Sequence, residues 1–240
     1  PNSSESFVSQ IDRKIDASLG RLQRNFVELY QLHNRIQNVS DKNNFSVKDI
    51  LKKGGVADAM EKFKSDGRIK SIGITALGDI DAINEVVLSD CFDVAQIYYN
   101  LLNSSASFSS PGKWNDHNFS NLIKNCKSKD MGLMNIRIYA AGYLATDKRH
   151  GREIPITFGI DETELNKRVV KINLIMRDIQ GTKAQKALRY GLSNDNMSTI
   201  VIGLAKISHL EEALEGYALG SLDEEILRKI EELQKNNFIN

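Results

Sequence analysis

The sequence predicts an α/β fold built on a parallel sheet, and three observations carry that expectation. Short apolar runs of strand character alternate with longer segments of helical periodicity along the chain. The run Phe26-Val27-Glu28-Leu29-Tyr30-Gln31-Leu32-His33-Asn34 reads as a buried strand ending in a histidine, and in parallel α/β barrels chemistry gathers at the C-terminal ends of strands. A length of 240 residues with 41% hydrophobic content fits one domain of barrel size, typically ~250 residues.

The elements follow in order. Residues 6–22 carry Phe7, Ile11, Ile15, Leu19 and Leu22 at helical spacing, and the strand ending at His33 follows a short turn. Residues 47–64 form a second helical pattern through Ile50, Leu51, Val56, Met60 and Phe63, with Gly54-Gly55 as its weak point and Gly67 as its stop. A strand over 69–75 carries Ile69, Ile72 and Ile74, a helix covers 79–88, a strand 92–100, a helix 118–129 and a strand 133–140. A long polar loop contains His150-Gly151-Arg152-Glu153-Ile154-Pro155. Helices fill 161–179 and 182–192, a short strand 198–202, and helices 208–218 and 222–235, the last with Ser221 and Glu224 spaced as a capping box. Strands separated by helices argue for βαβ units.

Composition narrows the function classes. A formal net charge of +1 gives no reason to expect nucleic acid or an anionic membrane as a partner. Cys91 and Cys126 have no metal-ligand spacing and read as free thiols in a reducing compartment. With no run of ~18 apolar residues and no signal-peptide pattern, the cytoplasm is the expected location. The first residue is Pro1 rather than methionine, the mark of a chain processed, cut or incomplete.

Several segments then fall into the order of one family. Ser18-Leu19-Gly20-Arg21-Leu22 followed by Glu28-Leu29-Tyr30-Gln31-Leu32-His33, then Gly67-Arg68-Ile69-Lys70-Ser71-Ile72-Gly73-Ile74, then Phe92-Asp93-Val94-Ala95-Gln96-Ile97-Tyr98-Tyr99-Asn100-Leu101-Leu102-Asn103, then residues 198–212, resemble the aldo-keto reductases over residues 7–233. Ile72-Gly73-Ile74-Thr75-Ala76-Leu77-Gly78 and the 150–155 motif look most like the aldose and galactose-type sugar dehydrogenases of that family. The resemblance implies a (β/α)8 TIM barrel that holds NAD or NADP across its C-terminal mouth. It further implies hydride transfer between the nicotinamide and an aldehyde, ketone or sugar hemiacetal. Five strands are countable, so the resemblance makes residues 1–240 a single barrel domain with strands 4–8 and their helices, lacking the first three βα units. A partial barrel exposes sheet edges and an apolar interior, so a stable monomer is not expected without a partner segment, a homo-oligomer or domain exchange. A small-molecule carbonyl or sugar is the expected partner, and no metal is.

The resemblance also assigns residues. Of the family's catalytic Asp, Tyr, Lys and His, only the histidine is matched, at His33, where it would orient or polarise the carbonyl. Taken alone, a histidine after an apolar strand is also the pattern of a satisfied core residue. Asn34 beside it would line the pocket. Thr75 and Gln96 would hold the nicotinamide carboxamide, although Ala76 lacks the amide many members carry, and Thr75 is equally readable as a small residue at a strand end. Gln96 is the polar exception in an apolar strand, and its amide needs partners. Arg137 stands where many members stack a tyrosine. A guanidinium plane can stack or reach a pyrophosphate, or it can make a salt bridge inside the barrel. Ile138, Tyr139, Ala140 and Gly142 correspond to the pyrophosphate loop. Gly203, Lys206, His209 and Glu212 match the adenosine-phosphate segment. Gly203, Leu204 and His209 replace the Lys-Ser and Arg of NADP-preferring members, which leans the reading towards NAD. Ala213 replaces a usual asparagine. His117 and His150 read as solvated loop residues rather than catalytic ones, Phe108 and Trp114 as loop aromatics that either line a substrate mouth or pack the loop, and Lys124, Lys127 and Lys129 as an exposed helix face. A non-catalytic relative that keeps the cofactor groove is the alternative, motivated by the unmatched acid, Asp and Lys.

Overall fold

The computed structural model describes residues 5–109, 117–148 and 161–239, so Trp114 and the 150–155 motif lie outside the described residues. The described residues fall into two compact units, one from 1–97 and 124–133, the other from 98–123 and 134–240. In chain order the elements are α1 (Phe7–Leu22), β1 (Val27–Leu32), β2 (Arg35–Gln37), β3 (Asn44–Ser46), α2 (Val47–Leu51), α3 (Val56–Ser65), β4 (Ile69–Thr75), α4 (Ile80–Leu88) and β5 (Val94–Tyr98). They continue with α5 (Leu122–Ser128), β6 (Gly132–Ile136), α6 (Glu162–Ile175), α7 (Lys183–Leu192), β7 (Thr199–Ile200), α8 (Ile207–Ala218) and α9 (Glu224–Lys235).

The first unit is organised by β4. It pairs in parallel with β1, in the register Val27↔Ile69 to Leu32↔Ile74, and with β5, in the register Gly73↔Val94 to Thr75↔Gln96. Ile69, Ile72 and Ile74 are buried to within 1%. Each contributes about 1.5–3 kcal/mol of apolar burial. Asp93, just before β5, pins the register: its Oδ2 accepts the Ile72 N–H at 2.8 Å, and Lys64 Nζ donates to the same oxygen at 2.8 Å. The Gly132 N–H donates to the Asp93 carbonyl at 2.8 Å, which seats the start of β6 beside that of β5. Ser6 caps α1, accepting the Ser9 N–H, and Gln23 at φ 53° ends it.

Local structure departs from the sequence expectation where backbone geometry decides. The pattern over 47–64 is two helices, because Gly54 takes φ 71° and a Cβ at Gly55 would lie 2.6 Å from the Lys52 carbonyl oxygen. The short parallel pair β2 and β3 was not expected; three-residue strands carry too little periodicity to be read. The first strand stops at Leu32, so His33 follows the strand rather than ending it. The strand expected over 133–140 stops at Ile136, where the backbone turns left-handed.

In the second unit β6 and β7 pair in parallel, Met134↔Thr199 and Asn135↔Ile200. The Ser221–Glu224 capping box does not form. Asp223 takes the N-cap of α9, and Ser221 instead offers its carbonyl to Arg189 at 3.0 Å. Thr182 and Gln185 make the unit's capping box, at α7. Tyr99 and Tyr190 stack at 5.3 Å with 5° between ring planes. One face of α8 is bare: Ile207, Leu210, Leu214 and Tyr217 are 44–78% exposed.

Two glycines give opposite expectations. At Gly78, φ 136°, a Cβ would sit 1.8 Å from the Ile36 carbonyl oxygen, so Gly78→Ala lowers stability by about 3 kcal/mol. At Gly20, helical and with no atom within 4 Å of a Cβ, Gly20→Ala raises it by about 0.5–1 kcal/mol. Urea denaturation midpoints measure both. Burial also pushes the Cys126 thiol from 9.0 up to about 12, while Cys91 is exposed. A thiol reagent at neutral pH therefore reacts with Cys91 in the folded chain and with both cysteines only after denaturation.

Candidate active site

In the first unit, the register of three strands sets a row of polar side chains at their C-terminal ends. Leu32 pairs with Ile74 and Thr75 with Gln96, so His33, the next residue along, is level with that row. His33 is exposed, and among the described residues its imidazole makes no hydrogen bond. Thr75 is buried and donates its hydroxyl to Gln96 Oε1 at 3.0 Å. Gln96 Nε2 donates to Gln31 Oε1 at 2.8 Å. The structure thus joins Thr75 and Gln96 to each other and to Gln31, which sequence reasoning missed. Its signal was available: Gln31 is a polar residue next to the C-terminal end of a strand, as Thr75 and Gln96 are near theirs. Asn34 is tied to the neighbouring loop, donating to the Asn43 carbonyl at 2.9 Å, and Ala76 is fully buried.

In the second unit, the turn after β6 concentrates unusual backbone. Arg137 (φ 62°), Ala140 (45°), Ala141 (56°) and Gly142 (98°) all take positive φ. Left-handed geometry costs an L residue roughly 1–2 kcal/mol, so surrounding bonds must hold it. The Arg137 carbonyl accepts from the Ala140 N–H and from Asn100 Nδ2, both at 2.9 Å. Asn100 Oδ1 in turn accepts the N–H groups of Leu102 and Asn103, at 2.9 and 3.1 Å. Gln234 on α9 donates to the carbonyls of Asn100 and Leu101 at 3.3 and 2.7 Å. Asn100 and Gln234 are fully buried, while the Arg137 side chain is exposed. Ile138 points into the core, where its Cδ1 fills the space over Gly191.

The segment between β7 and α8 presents Gly203 and Lys206 to solvent, and Lys206 caps α8 without a side-chain bond. His209, in the first turn, accepts the Ala205 N–H on Nδ1 at 3.4 Å, which leaves its other ring nitrogen as the N–H in the neutral form. Glu212 is steadied by Thr182, whose hydroxyl donates to Oε1 at 2.6 Å. Burial pushes the Tyr139 phenol above 10.0, and the Glu212 charge adds to that. Among the loop residues, His117 is not simply solvated, for its ring packs on Phe119 at 4.6 Å. Lys124 and Lys127 are exposed as expected, and Lys129 pairs with Asp90 at 2.7 Å.

A model of the Aldo/keto reductase family matches residues 1–235. The chain belongs to the aldo/keto reductase family. It is 26% identical over 243 residues to an Arabidopsis thaliana L-galactose dehydrogenase, the match covering 93% of this chain and 64% of that one. Among solved structures it resembles the holo form of an aldo-keto reductase from Bacillus halodurans, with TM-score 0.67 and 18% identity, covering 94% of this chain and 67% of that one. It also resembles an aldo/keto reductase from Klebsiella pneumoniae in complex with NADP and acetate, with TM-score 0.63 and 19% identity, covering 94% and 65%. The chain thus spans 64% of the length of its curated relative. Its parallel α/β arrangement is consistent with the (β/α)8 barrel of the family. Among the described residues, no helix is long and apolar enough to cross a membrane.

The buried amides make a stability test. Gln234→Ala strands the buried Leu101 carbonyl and the Ser104 hydroxyl, and Asn100→Ala strands the Leu102 N–H and loosens the Arg137 turn. Each lowers unfolding free energy by about 2–3 kcal/mol in denaturant titrations. Alkaline pH gives a second. Burial, the largest cause at both, holds the Tyr99 phenol above 10.0 and the Tyr190 phenol well above it. Unfolded phenols ionise first, so this contribution is intact below about pH 10 and is lost as pH rises beyond it, read as a falling Tm across that range.

Proposed function

We propose that a protein carrying this chain is an NAD(P)-dependent oxidoreductase that moves hydride between a nicotinamide and a carbonyl or sugar hemiacetal. The observation that carries the reading is the row His33, Thr75 and Gln96 at adjoining strand ends of a chain matched to the family over residues 1–235. The residues fit a nicotinamide nucleotide in three respects. Beyond its two bonds, Gln96 keeps one acceptor lone pair and one N–H, the complement of a primary carboxamide. The turn at 137–142 holds backbone in the conformations that let N–H groups approach phosphate. The N-terminus of α8, with Lys206 and no side-chain cap, suits an anion.

When bound, the nicotinamide supplies or accepts the hydride. The work of this chain's residues is to bind and orient. Gln96 and Thr75 fix the carboxamide and so the ring face. The His33 imidazole N–H donates to the substrate oxygen, steadying the charge that develops there. In the second unit Arg137 contributes a stacking or phosphate-binding guanidinium, Ile138, Tyr139, Ala140 and Gly142 a phosphate-side backbone, and Gly203, Lys206, His209 and Glu212 the adenosine end. We place the five parallel strands as barrel strands 4–8, with the acid, Asp and Lys of the family carried on the preceding βα units. NAD is the preferred form. Lys206 is the one lysine of 203–212, and His209 has a ring nitrogen committed to Ala205, so no guanidinium fork meets a 2′-phosphate. The L-galactose dehydrogenase likeness favours a sugar hemiacetal as substrate. The cytoplasm is the proposed compartment, and a homo-oligomer the proposed assembly.

Fluorescence titration with NADH and NADPH, followed by turnover on a panel of aldoses and aldehydes, tests this. His33→Ala is expected to lower kcat by about 10²-fold or more while leaving the NADH Kd within about twofold. Absence of saturable binding of either nucleotide overturns the reading. NADPH binding about tenfold tighter than NADH overturns the NAD preference.

A further inference from the structure

The Gln96 amide is held by two partners of different kinds. On one side is the Thr75 hydroxyl, donating to Oε1 at 3.0 Å. A hydroxyl both donates and accepts, so it would satisfy Gln96 in either orientation of the amide. On the other side is the Gln31 carbonyl, accepting from Nε2 at 2.8 Å. While Gln31 presents its carbonyl it meets Gln96 favourably in one orientation alone, and reversing Gln96 requires the Gln31 amide to turn with it.

Gln31 reaches Gln96 across an intervening strand. Its register partner on β4 is Gly73, and Gly73 in turn pairs with Val94 on β5. A Cβ at residue 73 would lie 3.1 Å from both Gln31 Cγ and Nε2, and 2.8 Å from the Val94 carbonyl oxygen. The missing side chain is the channel through which Gln31 crosses β4. Gln31, Gln96 and Thr75 are then a head-to-tail chain of hydrogen bonds, hydroxyl to carbonyl and amide N–H to carbonyl, in which each bond polarises the next.

We propose that Gln31 is a positioning residue, selecting the orientation in which Gln96 offers its remaining N–H and lone pair to a nicotinamide carboxamide, and that Gly73 is the gap that makes this possible. The proposal rests on the reading of Gln96 given above. Without the Gln31 carbonyl, the Gln96 amide rotates between two orientations. Only one of them matches the donor–acceptor sense of the ligand, so affinity for the nicotinamide end falls while the adenosine end is untouched.

The test compares NADH with ADP-ribose, which lacks the nicotinamide, in calorimetric titrations of the protein and its variants. Gln31→Met, of similar length and unbranched, removes the acceptor, and Gln31→Glu restores one. Gln31→Met is expected to weaken NADH by about tenfold and ADP-ribose by less than about twofold. Gln31→Glu is expected to bind NADH within about threefold of the parent. Gln96→Leu separates the proposal from the reading beneath it. If Gln96→Leu leaves NADH binding unchanged, the role of Gln96 itself is wrong. If Gln96→Leu weakens NADH and Gln31→Met does not, the positioning role of Gln31 is overturned. Equal weakening of NADH and ADP-ribose by Gln31→Met, or no recovery in Gln31→Glu, overturns it as well.

Discussion

The parallel ladder through β4 governs the first unit. A strand buried along most of its length admits one register, because a slip of one residue would turn Ile72 and Ile74 out of the core. Asp93 reinforces that choice by accepting the Ile72 N–H while Lys64 neutralises the carboxylate. Once the register is set, the levels of His33, Thr75 and Gln96 follow without further adjustment. Polar side chains at strand ends are positioned here by hydrophobic packing several residues away.

The second unit uses buried amides where the first uses a ladder. Asn100 and the Gln234 N–H groups bond backbone that no strand or helix satisfies, Gln234 Oε1 accepts from the Ser104 hydroxyl, and through Asn100 this support reaches the carbonyl of Arg137. Backbone at positive φ is costly for arginine and alanine, and it persists when the surrounding bonds over-determine it. A turn built this way is held in one conformation by bonds from outside it.

The sequence was most legible where periodicity and burial agree. β4, α1 and α7 appear where the apolar spacing put them, and the family motifs fall on the strands that carry Gln96 and the residue after β1. It was least legible where one backbone angle or one competing cap decides. Gly54-Gly55 reads as a weak point but is a break, because close carbonyls leave no room for a Cβ at Gly55. Ser221 has the spacing of a cap, yet Asp223 takes that position and the Ser221 carbonyl goes to Arg189. Gln31 carried the same signal as Gln96, a polar residue among apolar neighbours, but its partner lies two strands away, and no local pattern reveals a contact across a glycine.

The stretch joining β7 to α8 repays a last look in terms of local opening. β7 contributes only two residues to its ladder, and Val201, Gly203, Leu204, Ala205, Lys206, Ile207 and Ser208 are all exposed. Few buried contacts mean a small free energy for local unfolding, so the amides here should exchange with solvent well before those of α7. A ligand held by this stretch meets an ensemble in which only part of the population is ordered, and its apparent affinity is scaled down by that fraction. Occupancy of such a segment would show first as slowed exchange of its own amides, before any change in the helices that flank it.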